Sequence, residues 1–356
     1  MASDDAFWLA MDPAGGRPRR DSWFALEPYR PAAGLSNRHA QTVASTALRS
    51  QRGVFFYRER IDTPDGDFLD LDVAGVVGKP LPDDAPLVLL LHGLEGNARR
   101  HYALETYRQL AECGIRSVGM NFRSCSGEMN RTATLYHAGA TNDVALVHDW
   151  LDRRFPRAPK GMVGVSLGAN MLLKYLGERG ANLSIRLRGA AAISPPFDLA
   201  LGAAQARTRA LSFYTDRFVK SIQAKIHAKI ETNGAVFDQR VDVQAALAAQ
   251  TLQQLDEAFT APLHGFRDAQ DYYARCSSRR FLPGIRVPTL VLRAKDDPLI
   301  PAEDIPFDLL QANPALFSGI TEQGGHVGWI EGLPGRYRFW AERQTARFLA
   351  ALLVSS

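Results

Sequence analysis

Residues 160–176 read KGMVGVSLGANMLLKYL. The first half is a short apolar run of the kind a buried parallel strand shows, and the second half carries apolar residues at helical spacing. Between them stands Ser166, with Gly164 and Gly168 two residues away on either side. A serine on a tight strand-to-helix turn sits in strained backbone geometry, and bulky side chains two positions away would collide across that turn. The pentapeptide Gly164-Val165-Ser166-Leu167-Gly168 therefore reads as an exposed nucleophile at the C-terminal end of a strand.

Working outward, the same alternation continues on both sides. LVLLLHG (87–93), RSVGMNF (116–122) and RGAAAIS (188–194) read as strands. A helix from about His101 to Cys113, TNDVALVHDWLDRRF (141–155) and LGANMLLKYLGERG (167–180) read as the helices between them. Upstream, FFYRERI (55–61) and FLDLDVAG (68–75) flank TPDGD, which predicts an antiparallel hairpin reversing near Asp65-Gly66. From about Asp198 to Leu282 the pattern becomes helical, with no clear strand. VPTLVLRAKDD (287–297) resumes the series, SGITEQGGH (318–326) supplies a last strand, and RYRFWAERQTARFLAALL (336–353) reads as a terminal amphipathic helix. The expectation is an α/β chain with a mostly parallel, doubly wound sheet, an N-terminal antiparallel hairpin, and a helical cap inserted before the acid-bearing strand, the one that leads to Asp297. Residues 51–199 and 283–356 form the expected core, 200–282 the cap, and 1–50 an N-terminal extension packed on the core.

Serine is a weak nucleophile unless a neighbouring base takes its proton, and that base needs an acceptor to hold its tautomer. In a strand series of this kind both follow the serine, in the order acid, then histidine. Asp297 lies just past the strand VPTLVLRA, four residues before Pro301, and is preferred as the acid over the adjacent Asp296, which reads as a solvated loop residue. His326, after the last strand and behind Gly324 and Gly325, is the expected base. Donors for a developing oxyanion are expected from the backbone N–H of Leu167 and, in His92-Gly93-Leu94-Glu95-Gly96, from that of Leu94. NFRSCSGE (121–128) is expected at the rim of the site, where Arg123 and Glu128 either order the rim or pair with each other. Phe213, Tyr214, Phe218, Ile222, Ile226 and Phe259 either line a pocket or pack the cap, packing being the commoner role.

Composition narrows the function further. The 356 residues are 46% hydrophobic and 22% charged, and the net charge of +4 is spread without a basic stripe, which argues against nucleic-acid binding. Three scattered cysteines make neither a disulfide framework nor a zinc cluster, and Cys125 has no predicted neighbour to activate it. No H-E-x-x-H or other ligand spacing appears among the eight histidines, so neither metal nor cofactor is expected. Asp4 and Asp5 stand where a secretory signal carries cations, and no run of about 18 apolar residues suggests a membrane span.

Eight stretches together resemble the YheT-like branch of the α/β-hydrolase superfamily: SNRHAQTV (36–43), TPDGDFLDLD (63–72), HGLEGNARRHY (92–102), NFRSCSGEMNR (121–131), YHAGATND (136–143), GVSLGAN (164–170), AKDDPLIP (294–301) and GGHVGW (324–329). The resemblance covers nearly the whole chain from about Ser36. It implies the α/β-hydrolase fold, with nucleophile, acid and base falling on Ser166, Asp297 and His326. It also implies a carboxylic ester substrate, a short- to medium-chain acyl ester or a lipid. Ser124 and Ala138 depart from the branch's usual glycine and serine, which touches the rim around Arg123, Tyr136 and His137 and leaves the triad alone. Some animal members of the branch carry an N-terminal membrane anchor that this sequence lacks. A cytoplasmic protein is therefore expected, with at most transient contact to a membrane surface and no oligomeric state read. Acyl transfer or thioester cleavage on the same triad, and a non-catalytic ligand-binding protein on the same fold, are the alternatives.

Overall fold

The computed structural model describes residues 23–207, 212–237 and 239–354. Helix α1 (Arg38–Leu48) precedes strands β1 (Val54–Asp62) and β2 (Phe68–Val76), which pair antiparallel with Asp62 opposite Phe68. The reversal is a tight turn closed by the Gly66 N–H donating to the Thr63 carbonyl at 3.0 Å, with Gly66 at φ 80°. The sequence TPDGD anticipates this turn.

Next come β3 (Leu87–Leu91), α2 (His101–Glu112), β4 (Arg116–Asn121), α3 (Thr141–Arg154), β5 (Lys160–Val165), α4 (Leu167–Arg179) and β6 (Leu187–Ile193). Every residue of β3 and β5 is buried, as a parallel strand covered on both faces requires. After the helices that follow β6, β7 (Thr289–Ala294) and β8 (Leu316–Thr321) complete an eight-stranded sheet in the order β1-β2-β4-β3-β5-β6-β7-β8. β2 runs antiparallel to β4, and all pairings from β4 to β8 are parallel.

The chain steps outward from β3 to β4 and then crosses back to β5, so the connections diverge between β3 and β5. The loops leaving these two strands therefore meet at the carboxyl edge of the sheet, where ligands bind in open α/β sheets. Two apolar layers cover the sheet. Leu89, Leu91, Val144, Leu151 and Leu172 belong to one; Val88, Leu90, Leu110 and Leu349 belong to the other.

Between β6 and β7 the described residues are helical and contain no strand: α5 (Leu199–Ala206), the long α6 (Ser212–Phe237), and a series of short helices that includes a π-helical turn at Asp256–Thr260. Phe213 lies outside the described side chains. Ile226, Phe237 and Phe259 form a small core within this segment, while Phe218 and Ile222 also face a cavity. The terminal helix begins at Trp340 and runs to Leu353, later than the sequence reading placed it. Arg336–Phe339 is instead a strand, β10, paired with β9 (Ile330–Leu333) around the turn Pro334-Gly335. Gly335 sits at φ 80°, and Pro-Gly is a reversal signal that the helical spacing of the aromatic residues had masked.

The segment before α1 packs on the core: Phe24 meets Phe348 of the terminal helix edge-on at 4.9 Å, and Ala32 N–H donates to the Ile330 carbonyl at 2.9 Å. Residues 1–22 of the expected extension, Asp4 and Asp5 among them, lie outside the described residues. Among the described residues no helix is long and apolar enough to cross a membrane.

Candidate active site

Ser166 follows β5 with φ 55° and ψ −120°, a region that side chains rarely adopt. The two flanking glycines are required by contact. A methyl group on Gly168 would sit 2.4 Å from the carbonyl oxygens of both Leu91 and His92, and one on Gly164 would sit 2.5 Å from the Gly168 carbonyl oxygen. The elbow is thus pressed against the end of β3, which brings its loop to the serine. A methyl group on Gly93 would lie 3.2 Å from Ser166 Cβ.

His326 Nε2 lies 2.9 Å from Ser166 Oγ, and His326 Nδ1 lies 2.8 Å from Asp297 Oδ2. The residues read from the sequence as nucleophile, base and acid therefore stand in one continuous hydrogen-bonded row. Asp297 is buried, and Arg293 Nη1 donates to the same Oδ2 at 2.8 Å while the Leu299 and Ile300 N–H groups donate to Oδ1 at 2.8 and 3.2 Å. Burial alone would raise its pKa, but His326, Arg293 and the Leu299 amide outweigh that and hold the carboxyl below its ordinary value. It is accordingly an anion able to stabilise an imidazolium.

Asp296 is not a solvated bystander. Its Oδ1 accepts the Gly325 N–H at 2.9 Å, so the neighbouring carboxylate holds the loop that carries the histidine. The other support comes from α1, where Thr42 Oγ1 accepts the His326 N–H at 2.9 Å. Sequence reasoning missed both Thr42 and Arg293. The available signals were an arginine four residues before Asp297 and a conspicuous polar run, SNRHAQTV, in an otherwise unassigned extension.

The loop after β3 is fixed amide by amide. Gly93 N–H donates to Tyr102 Oη at 2.9 Å, Glu95 N–H to Tyr136 Oη at 2.8 Å, and Gly96 N–H to the Gly93 carbonyl at 3.0 Å. His92 accepts the Phe122 N–H on Nε2 at 3.1 Å, which leaves Nδ1 to donate to the Gly93 carbonyl at 2.8 Å. Burial lowers the pKa of this imidazole to about 3, in keeping with that single neutral tautomer. Among the described residues Leu94 N–H and Leu167 N–H have no acceptor, and both residues line the cavity above Ser166.

That cavity has a volume of about 830 Å³ and is bounded by Ser166 and His326, by α1 and by α6. Tyr136 and His137 line it. His137 Nδ1 accepts the Gly139 N–H at 3.2 Å, and burial keeps its pKa well below the ordinary value. Arg123 does not belong to the cavity wall, contrary to the sequence reading. Its guanidinium is buried between Asp143, at 2.8 and 2.9 Å, Asp65 at 2.7 Å and Asp67 at 3.2 Å. Three carboxylates outcompete Glu128, which pairs with Arg60 instead at 2.6 Å. Cys125 is buried and does not line the cavity, and burial pushes its thiol pKa up to about 11, so it remains a thiol.

Comparison with known proteins agrees with this architecture. The sequence profile described as alpha/beta hydrolase fold matches residues 86–333. The chain belongs to the α/β-hydrolase family. It is 33% identical over 325 residues to the Escherichia coli protein named "Putative esterase YheT", covering 91% of this chain and 94% of that protein, which places it in the YheT-like branch. It is 28% identical to Mus musculus phospholipase ABHD3, over 92% of this chain and 79% of that one. A Pyrococcus furiosus esterase structure superposes with a TM-score of 0.54 at 15% identity, covering 93% of this chain and 99% of that one, and shares the fold. These relatives place this α/β hydrolase among the carboxylic ester hydrolases.

Proposed function

We propose that the protein is a serine hydrolase that cleaves carboxylic esters of short to medium acyl chains, or lipids, through an acyl-enzyme formed on Ser166. His326 takes the serine proton as the Oγ attacks the ester carbonyl, and Asp297 holds the Nδ1–H tautomer and offsets the imidazolium charge. The Leu94 and Leu167 N–H groups receive the oxyanion. His326 then returns the proton to the leaving alkoxide, and water, deprotonated by the same imidazole, releases the acid. The observation that carries this reading is the unbroken row Ser166–His326–Asp297 opening onto a cavity beside two backbone N–H groups with no acceptor among the described residues.

The cavity supports the substrate class. Leu135, Leu199, Phe218, Ile222 and Phe259 line it, and its volume of about 830 Å³ lies within the range of small-ligand pockets. Residues 200–282 act as the cap that walls it, set on a core of 51–199 and 283–356, with α1 of the 1–50 extension packed against the histidine loop. Tyr136 and His137 form the substrate rim. The test is hydrolysis of p-nitrophenyl acetate, butyrate and decanoate by the wild type and by Ser166→Ala. Turnover that peaks at a short or medium chain and is lost in the variant is expected; equal turnover by both proteins overturns the reading.

A further inference from the structure

The loop after β3 carries a carboxylate that the mechanism above leaves unused. Gly93, Leu94, Glu95 and Gly96 form a four-residue turn closed by the Gly96 N–H to the Gly93 carbonyl at 3.0 Å. Glu95, at its third position, has φ 50°. That place in such a turn ordinarily belongs to glycine or asparagine, and another residue stays there only when its surroundings hold it.

Glu95 is held from every side. Its N–H donates to Tyr136 Oη at 2.8 Å, and that hydroxyl in turn donates to Glu95 Oε1 at 2.7 Å. Lys225 Nζ donates to Oε1 at 2.8 Å, Ser221 Oγ donates to Oε2, and Arg100 Nη2 donates to the Glu95 carbonyl at 2.7 Å. The Glu95 side chain is only 5% exposed, so these bonds are shielded from water. Tyr136 belongs to the loop before α3, while Ser221 and Lys225 stand four residues apart on one face of α6.

The consequence for chemistry runs through one peptide plane. The Gly93 carbonyl and the Leu94 N–H are opposite ends of the same peptide group, so whatever fixes the carbonyl aims the N–H. The carbonyl accepts from the Gly96 N–H at 3.0 Å and from His92 Nδ1 at 2.8 Å, and the first of these two bonds depends on the turn that Glu95 anchors. We propose that Glu95 is a positioning residue for ester hydrolysis: its clamp on Tyr136, Ser221 and Lys225 sets the Leu94 N–H toward the oxyanion and makes that donor depend on α6 being docked. This inference rests on the serine-hydrolase reading and adds the coupling between cap and oxyanion donor.

Glu95→Gly separates the clamp from the turn, because glycine adopts the turn more easily than glutamate and keeps the N–H to Tyr136 Oη, but has no carboxylate to accept from Tyr136, Ser221 or Lys225. Active sites are counted with a fluorophosphonate, and kcat and KM are then measured on p-nitrophenyl butyrate. Loss of a whole oxyanion donor costs about 10²–10³ in kcat, so a misdirected one is expected to cost about 10- to 100-fold, with KM within about twofold. A trifluoromethyl ketone, whose adduct carries the oxyanion, weakens by the same factor. Lys225→Met lowers kcat less and adds nothing further in the Glu95→Gly background.

A kcat per titrated site within about twofold of wild type in Glu95→Gly overturns the proposal, as does a loss confined to Tm or to the fraction of active sites. Should Glu95→Gly fail to fold, the Ser221→Ala/Lys225→Met double variant decides by the same criterion. A wild type that neither labels nor turns over refutes the serine-hydrolase reading itself; an active wild type with unaltered clamp variants refutes only the clamp.

Discussion

Replacing Asp297 with asparagine keeps its volume and removes one charge at the most crowded point of the site. Two effects follow. The first is chemical: an asparagine amide nitrogen placed where Oδ2 now meets His326 Nδ1 at 2.8 Å donates instead of accepting, so Nδ1 gives up its proton and Nε2 becomes protonated. An imidazole in that tautomer cannot take the Ser166 proton, and the comparable change in a serine protease triad costs about 10⁴-fold in kcat. The second is structural, because Arg293 is fully buried and Asp297 Oδ2 is its 2.8 Å partner. Stripping one partner from a buried pair typically costs about 3–5 kcal/mol. The loss here belongs at the lower end, since Asp304 remains 3.8 Å from Arg293 Nη2 and the Ile300 carbonyl still accepts from it at 3.2 Å. The assay is kcat on p-nitrophenyl butyrate per folded protein, together with chemical denaturation. A fall of about 10⁴ in kcat with a stability loss near 3 kcal/mol is expected. A variant within tenfold of the wild-type kcat would refute the assignment of Asp297 as the orienting acid.

Three further outcomes are expected. Gly168→Ala must place a methyl group 2.4 Å from two backbone carbonyl oxygens, so it should destabilise by about 3 kcal/mol or more, read as a large fall in Tm; an unchanged Tm would contradict the close approach of elbow and β3. Arg123→Met leaves Asp67 and Asp143 without their cation and should cost about 3–5 kcal/mol in denaturation while KM stays unchanged; a KM effect without a stability effect would restore Arg123 to the rim. Burial raises the Asp256 pKa to about 6 from an ordinary 3.8, so its contribution to stability is present below about pH 4 and is lost as pH rises through 6. Asp256→Asn should therefore gain on the wild type by about 2–3 kcal/mol between pH 4 and pH 8, and a difference that does not change with pH would contradict it.

The parts of this molecule that steric rules dictate were open to reading from sequence. The Gly164 and Gly168 requirement is a short-range contact between adjacent strand ends, and the hairpin at Asp65-Gly66 is a local turn, so both are written in a few consecutive residues. The row of Ser166, His326 and Asp297 was legible because strand order fixes which loops meet. What stayed hidden depends on partners far apart in the chain. Asp297 was preferred over Asp296 from its place before Pro301, but the role of Asp296 as acceptor of the Gly325 N–H, 29 residues on, was not legible. Arg123 looked like a rim residue because it follows a strand, yet carboxylates 20, 56 and 58 residues away enclose it. The β9–β10 hairpin was hidden because Tyr337, Phe339 and Trp340 also fit a helical face.

The most direct measurement is to treat the protein with a fluorophosphonate and locate the adduct by peptide mass spectrometry. A single adduct on Ser166, abolished in Ser166→Ala and slowed by orders of magnitude in His326→Ala, is the result the account predicts. Ester turnover by a wild type that forms no adduct at Ser166, or an adduct that persists elsewhere in an active Ser166→Ala, would contradict it.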